Sequence, residues 1–273
     1  MKCTDKDYYI EKALIGKLDL MIERYNHNRD SLMIVDGGEG DGKTTAAIGY
    51  AYYIAQKLGK PFSVDNVFFD CEEMMKFAAT TEGQVIVWDE AATAGMAVNW
   101  QNRIQQKLIQ IMMMARKKKH FWFFLIPKFW KLNEYIVDRS IGLIHVYSPD
   151  MIKQGYFVYF KKEAKDYLYL NMKERKHKSY RRGYAFRGTF VKKGFVIDKV
   201  AYEKKKDAAI MSLFENKRPL EAVAKLKKEN EEFKKFIYEL PGMTQVEKAV
   251  KLNKHPNTIS KWGHGSITTP LQR

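Results

Sequence analysis

Apolar residues along the first 150 positions follow two alternating periods. Ile10, Leu14, Leu18, Met21 and Tyr25 fall three or four residues apart, so an amphipathic helix is expected over 8–25. Leu32 to Val35 is a short continuous apolar run. It is followed by an Ala-rich helix expected over about 43–58, which Gly59-Lys60-Pro61 stops. FSVDNVFFD reads as a strand region and EEMMKFAAT as a short helix. Val85, Ile86, Val87 and Trp88 form a second continuous run, as in a strand buried on both faces. A helix is expected from about Trp100 to Arg116, with Ile104, Leu108, Ile111 and Met112 inward and Met112–Met114 packed in the core. Strands FWFFLI and Ile141–Tyr147 complete the series. Strands alternating with helices predict an α/β fold with a mostly parallel sheet covered on both faces.

Beyond Pro149 the pattern changes. Gly155–Phe160 and Tyr167–Met172, separated by KKEAKD, read as a β-hairpin. Over 219–240, Val223, Leu226, Asn230, Phe233, Ile237 and Leu240 keep 3–4 spacing. β-Branched residues and one Asn at a, with Leu and Phe at d, suit a parallel two-stranded coiled coil. A helix packed within a C-terminal domain is the alternative. The chain thus divides into 1–150, a core with an N-terminal helix; 151–215, a basic β-hairpin and aromatic extension; and 216–273, a helical C-terminal domain.

The first apolar run opens onto a stretch that carries chemistry. Gly37, four residues, Gly42, Lys43 and Thr44 fit G-x-x-x-x-G-K-[ST], the phosphate-binding P-loop. Gly37, Gly38, Glu39, Gly40, Asp41 and Gly42 would curl their backbone N–H groups around a phosphate at a helix start, joined by Lys43, Thr44 and Thr45. Lys43 would reach the β- and γ-phosphates of ATP, and Thr44 would take one Mg²⁺ position. The second run ends in Asp89-Glu90. Asp89 would hold Mg²⁺ through water and Glu90 would polarise the attacking water. An acid pair at a helix N-terminus is the ordinary reading of such a dipeptide, and the upstream P-loop favours catalysis. A strand and helix between the P-loop unit and the acidic strand point to a RecA-like arrangement. Arg139 is the candidate arginine finger on a neighbouring subunit's γ-phosphate, with an ion pair to Asp138 or Glu134 as its alternative.

Charge adds a partner. The net charge is +16, yet residues 1–150 hold 19 Lys+Arg against 19 Asp+Glu, whereas 151–273 hold 29 against 13. A basic second half implies a polyanion. Lys173, Arg175, Lys176, His177, Lys178, Tyr180, Arg181, Arg182, Tyr184, Phe186 and Arg187 interleave cations with rings, a composition that suits nucleic acid and equally a solvated basic loop. TQVEKAVKLNKHPNTISKWGHG resembles a helix-turn-helix DNA-binding unit. Thr244 and Glu247 form its capping box, Ala249 marks the helix crossing, and Lys248 and Lys254 stand where such motifs are usually apolar. His255, Asn257, Thr258 and Lys261 would face the major groove. Cys3 and Cys71 lack metal or disulfide spacing, the N-terminus lacks an apolar leader, and Phe121–Pro127 is too short to span a bilayer. A cytoplasmic protein with no membrane segment is expected.

With these residues in view, the first two thirds of the chain resemble the FtsK–HerA branch of P-loop ATPases. The similarity is greatest to Zot-like proteins, the zonular occludens toxin family of phages and mobile elements. It is carried by GGEGDGKTT, VIVWDEA, the basic run before FWFFLIP, and LNEYIVDRS. The resemblance implies a homo-oligomeric ring or dimer that uses ATP to package, export or transfer DNA. It departs in lacking a membrane segment after the ATPase domain and in ending the strand after the acidic pair with Pro127-Lys128. An ATP-switched replication initiator, helicase loader or regulator without motor activity is the alternative.

Overall fold

The two continuous apolar runs become strands of one sheet, with a third strand between them. The computed structural model describes residues 2–3, 8–89, 106–113, 115–150, 152–190, 195–215, 235, 238–239 and 244–251. Strands β1 (Lys2–Cys3) and β2 (Tyr8–Tyr9) pair antiparallel ahead of helix α1 (Lys12–Asn26). α1 buries Leu14, Leu18 and Met21, the stripe the spacing predicts. Strand β3 (Ser31–Gly37), buried at every position, leads into helix α2 (Lys43–Lys57). Strand β4 (Val67–Phe68) is followed by helix α3 (Cys71–Thr80). Asp70 caps α3, accepting from the N–H groups of Glu72 and Glu73 at 2.8 and 2.9 Å. Then come strand β5 (Val85–Asp89), helix α4 (106–113), strand β6 (Phe121–Ile126), helix α5 (Glu134–Arg139) and strand β7 (Gly142–Tyr147). Strand β8 (Tyr156–Lys161), helix α6 (Lys162–Arg175), strand β9 (Phe186–Thr189) and helix α7 (Lys199–Glu215) follow.

The seven strands run in the order β4-β5-β6-β3-β7-β8-β9. The first five are parallel, and β8 and β9 add antiparallel. Alternation along β3 divides the core. Met33 and Val35 point into one apolar layer with α1 and α2, and Leu32 and Ile34 point into the other with α3 to α6. Both faces are therefore covered, which is why β3 and β5 read as unbroken apolar runs. Each large aliphatic side chain buried this way contributes about 1.5–3 kcal/mol.

Three expectations are corrected. The hairpin fails because residues 162–175 are helical. A strand would place Tyr167 with Tyr169 and Leu168 with Leu170 on opposite faces. Instead Leu168 and Tyr169 are buried while Tyr167 and Leu170 are 60% and 46% exposed, a 3–4 pattern. The good helix formers of KKEAKD start the helix, and the Tyr169 hydroxyl locks it by donating to the Leu132 carbonyl at 2.7 Å. The boundary at 150 falls inside the sheet, since β8 pairs with β7 and β9 with β8. Met113 is 60% exposed, so the methionine run is not wholly core.

The chain separates into two compact units, Met1–Ile210 and Met211–Arg273. In the second, helix Gln245–Lys251 begins with the expected capping box. The Thr244 N–H donates to Glu247 Oε2 at 2.7 Å, and the Glu247 N–H donates to Thr244 Oγ1 at 3.3 Å. Ala249 is fully buried and Lys248 nearly so, its ammonium donating to the Tyr238 carbonyl at 2.6 Å. The coiled-coil stretch, apart from three positions of 219–240, and the second helix of the helix-turn-helix lie outside the described residues. No helix among the described residues is long and apolar enough to cross a membrane.

Candidate functional site

The end of β3 and the start of α2 are joined by a loop that only glycine can trace. Gly37 has φ +150, and a Cβ there would stand 2.2 Å from the Val146 carbonyl oxygen on the neighbouring strand. Gly42 caps α2 in the left-handed conformation at φ 96, and among the described residues no side chain caps that helix start. A helix start without such a cap leaves its first N–H groups available to an anion, as a phosphate cradle requires. Lys43 folds over the same loop, donating to the carbonyls of Gly37 and Gly38 at 2.8 and 2.6 Å. Burial pulls the Lys43 ammonium below the ordinary lysine range, and Asp89, Asp41, Asp36 and Glu39 partly restore it.

Asp89 arrives from two strands away. The parallel register of β5 with β6 sets Asp89 opposite Leu125, at the same end of the sheet as the loop. There it is 2% exposed and accepts a 2.9 Å hydrogen bond from the Thr44 hydroxyl. These are the two side chains expected to share a metal. A hydroxyl and a carboxylate are hard oxygen donors that suit Mg²⁺, which takes one or two protein ligands and fills its octahedron with water and phosphate oxygens. Among the described residues no group of three or more His, Cys, Asp or Glu side chains could hold a metal on its own. The residues present fit a Mg–nucleotide rather than a bare ion.

Several partners escaped the sequence reading. Asp41 ties the loop together, accepting from the Gly38 N–H at 2.8 Å and from the Ser148 hydroxyl at 2.7 Å. The Gln154 amide donates to the Gly40 carbonyl. Tyr202 of α7 donates its hydroxyl to Asp89 Oδ2 at 3.0 Å, and burial followed by that carboxylate pushes its pKa up. A cavity of about 590 Å³ opens between the loop and these elements, with Lys43, Thr44, Asp89, Pro127, Gln154 and Lys206 in its wall.

Asp36, immediately before Gly37, is 1% exposed and fully engaged. It lies 2.9 Å from His145 Nδ1 and accepts from the Phe129 N–H at 3.3 Å and from the Tyr180 hydroxyl. The Tyr180 ring stacks on His145 with centroids 3.6 Å apart and on Trp130 at 4.9 Å. Tyr180 and Phe186 therefore serve the fold, Phe186 stacking on Tyr159 at 5.0 Å. Of the aromatic residues in the basic stretch Tyr184 is exposed, beside exposed Lys176, Lys178, Arg181, Arg182 and Arg187. An acid closing an apolar strand is the signal that marked Asp89, and it was also there at Asp36.

Arg139 sits elsewhere. Its guanidinium pairs with Asp30 and donates to the Tyr135 hydroxyl at 3.1 Å. Asp30 precedes the first residue of β3, so about 20 Å of strand separates this pair from the loop. The partner expected for a structural Arg139 was Asp138 or Glu134; it is Asp30. Glu90 lies outside the described residues.

No family model and no curated protein matches the chain. Among solved structures it is similar to the N-terminal domain of zonular occludens toxin from Neisseria meningitidis. That likeness has 14% identity and a TM-score of 0.37, over 64% of this chain and 98% of that one. It is also similar to the Thermotoga maritima RuvB Holliday junction branch migration motor, at 16% identity and TM-score 0.33 over 92% and 84% of the two chains. Rhizobiales Trip13 follows at 14% identity and TM-score 0.32, over 54% of this chain and 70% of that one. Likenesses of this extent carry no argument about function, which rests on the loop and the sheet.

Proposed function

We propose that this protein binds ATP with Mg²⁺ at the Gly37–Thr45 loop, hydrolyses it, and uses the reaction to handle DNA. The observation that carries the reading is the Thr44–Asp89 hydrogen bond, which joins the two expected metal-side residues at the mouth of a glycine cradle. Strand β6, inserted between β3 and β5, supports the RecA-like form of the site. The backbone donors of the loop hold phosphate and Lys43 leaves its two carbonyls for the β- and γ-phosphate oxygens. Thr44 and Asp89 would hold Mg²⁺, which when bound would neutralise phosphate charge. Glu90, next in the chain, holds and polarises the attacking water.

The exposed cations Lys176, Lys178, Arg181, Arg182 and Arg187 would meet DNA phosphates, and the helix-turn-helix of 244–262 would read bases. Assembly into a ring or dimer in the cytoplasm, and a role in phage or mobile-element DNA packaging, export or transfer, complete the proposal. The test is the ATPase rate with and without DNA, alongside mass measurement with a non-hydrolysable nucleotide. DNA-stimulated turnover supports it, and a protein that binds no ATP overturns it. Slow turnover with nucleotide-dependent assembly at one site would select the switch over the motor.

A further inference from the structure

Helix α7 is fastened to the sheet in a definite register. Its start is capped by Asp198, whose Oδ1 accepts from the N–H groups of Val200 and Ala201 at 2.9 and 3.1 Å. Tyr202 is 3% exposed, its ring packed against Phe69 at 5.4 Å and Phe195 at 5.2 Å, its hydroxyl on Asp89. Lys205 pairs with Glu73 at 2.8 Å, its ammonium 4.7 Å from the centre of the Phe68 ring. These contacts fix the rotation of the helix about its axis. Lys206 is four residues beyond Tyr202, so both lie on one helix face. It forms part of the wall of the cavity that holds Lys43, Thr44 and Asp89.

Phosphoryl transfer spreads negative charge over the equatorial γ-oxygens, and its catalysis combines positioning of the reactants with positive charge placed around those oxygens. Lys43 supplies one such charge. Arg139, expected from the sequence to act on a neighbouring subunit's γ-phosphate, is paired with Asp30 at the far end of β3 and brings no charge to this chain's own loop. Lys206 is a cation beyond the loop that this same chain brings to the cavity. We infer that Lys206 is a phosphate-contacting catalytic residue of this site, acting on the nucleotide bound by its own subunit. The inference rests on the reading of the loop as an ATP site.

The test uses the full-length wild type with Lys206→Ala and Lys206→Arg. Affinities for Mg–ATPγS and for Mg–ADP are measured by calorimetric titration, and turnover is measured separately. The ratio of the two affinities reads the γ-phosphate contact without relying on hydrolysis. Lys206→Ala should lower the preference for ATPγS roughly ten- to hundredfold, as expected for a lost charge-assisted hydrogen bond, with ADP affinity unchanged. Turnover should fall about a hundredfold or more, and Lys206→Arg should recover part of both. Mixing Lys206→Ala with Lys43→Ala subunits should restore nothing, because each nucleotide needs both lysines from one chain. An unchanged affinity ratio, or recovery on mixing, overturns the assignment while ATP binding by the wild type stands. A wild type that binds neither nucleotide overturns the ATP reading itself, and the role of Lys206 with it.

Discussion

Arg139 and Asp30, 109 residues apart in sequence, form an ion pair at the beginning of β3. Their side chains are 17% and 14% exposed, so each shields the other from water as well as neutralising it. Burial lowers the Arg139 pKa, and Asp30 with the Tyr135 hydroxyl more than restores it, leaving it raised. Arg139→Ala should therefore cost about 1–3 kcal/mol of stability by stranding Asp30. Equimolar Lys43→Ala subunits should rescue no turnover. An unchanged melting temperature combined with turnover restored on mixing would return Arg139 to a role at a neighbour's phosphate.

The roles proposed for Lys43 and Glu90 separate binding from chemistry. Lys43→Ala should abolish ATP binding in a titration, because the loop loses its cation. Glu90→Gln should bind ATP normally and hydrolyse it at least about a hundredfold more slowly. Ordinary turnover by the Glu90 variant would remove that residue from the proposed mechanism.

His120 makes stability depend on acidity. It is fully buried; its Nδ1 accepts from the Gln84 N–H at 3.1 Å and its Nε2 donates to the Ala78 carbonyl at 2.9 Å. Burial holds the imidazole pKa below 6.5. Below that value the unfolded chain gains a proton that the folded chain refuses, so stability falls with pH until the lower folded pKa is reached. The loss is up to about 1.4 kcal/mol per pH unit. Urea midpoints at about pH 7.5 and about pH 5.5 should show it. His120→Gln should be less stable throughout but decline less between the two, and an equal decline would dismiss His120 as the cause.

Tyr50 carries a buried cost. It is 1% exposed and, among the described residues, its hydroxyl has no hydrogen-bond partner. Tyr50→Phe keeps the ring against Phe157 and removes an unsatisfied donor, which should raise stability by up to about 1–3 kcal/mol. A lower melting temperature would show that the hydroxyl is satisfied in solution.

The basic second half should give two separable DNA effects. Replacing Arg181 and Arg182, both exposed, should weaken binding to every sequence alike, the log–log salt slope shrinking by about one unit per lost phosphate contact. Asn257→Ala or Lys261→Ala should instead relax sequence preference by about 1–3 kcal/mol per base contact. Selection of bound sequences by each full-length variant distinguishes them, and equal, sequence-blind losses would withdraw the base-reading role.

Legibility followed the range of the interaction. The helix stripe Leu14–Leu18–Met21, the glycine turn between β3 and α2, the buried β5 and the Thr244–Glu247 box are local patterns and could be read directly. Residues 167–172 misled because alternating Tyr and Leu fit a strand period, while tertiary contacts at Leu132 decided for helix. Tyr180 reaches Asp36 across 144 residues, and Tyr202 reaches Asp89 across 113. Such pairings depend on strand order, to which no local period points. The surroundings of the glycine loop were accordingly the least visible part of the candidate site.

Both margins of the sheet are short, β4 having two residues and β9 four. A strand from another molecule would find few unpaired N–H and C=O groups to extend, and exposed Arg187 on β9 would set a charge against it. Among the described residues, neither margin of the seven-stranded sheet therefore favours a sheet shared between copies. A ring or dimer avoiding those margins would be built from complementary side-chain surfaces, whose contacts can tighten and loosen without the backbone of either subunit being rewoven.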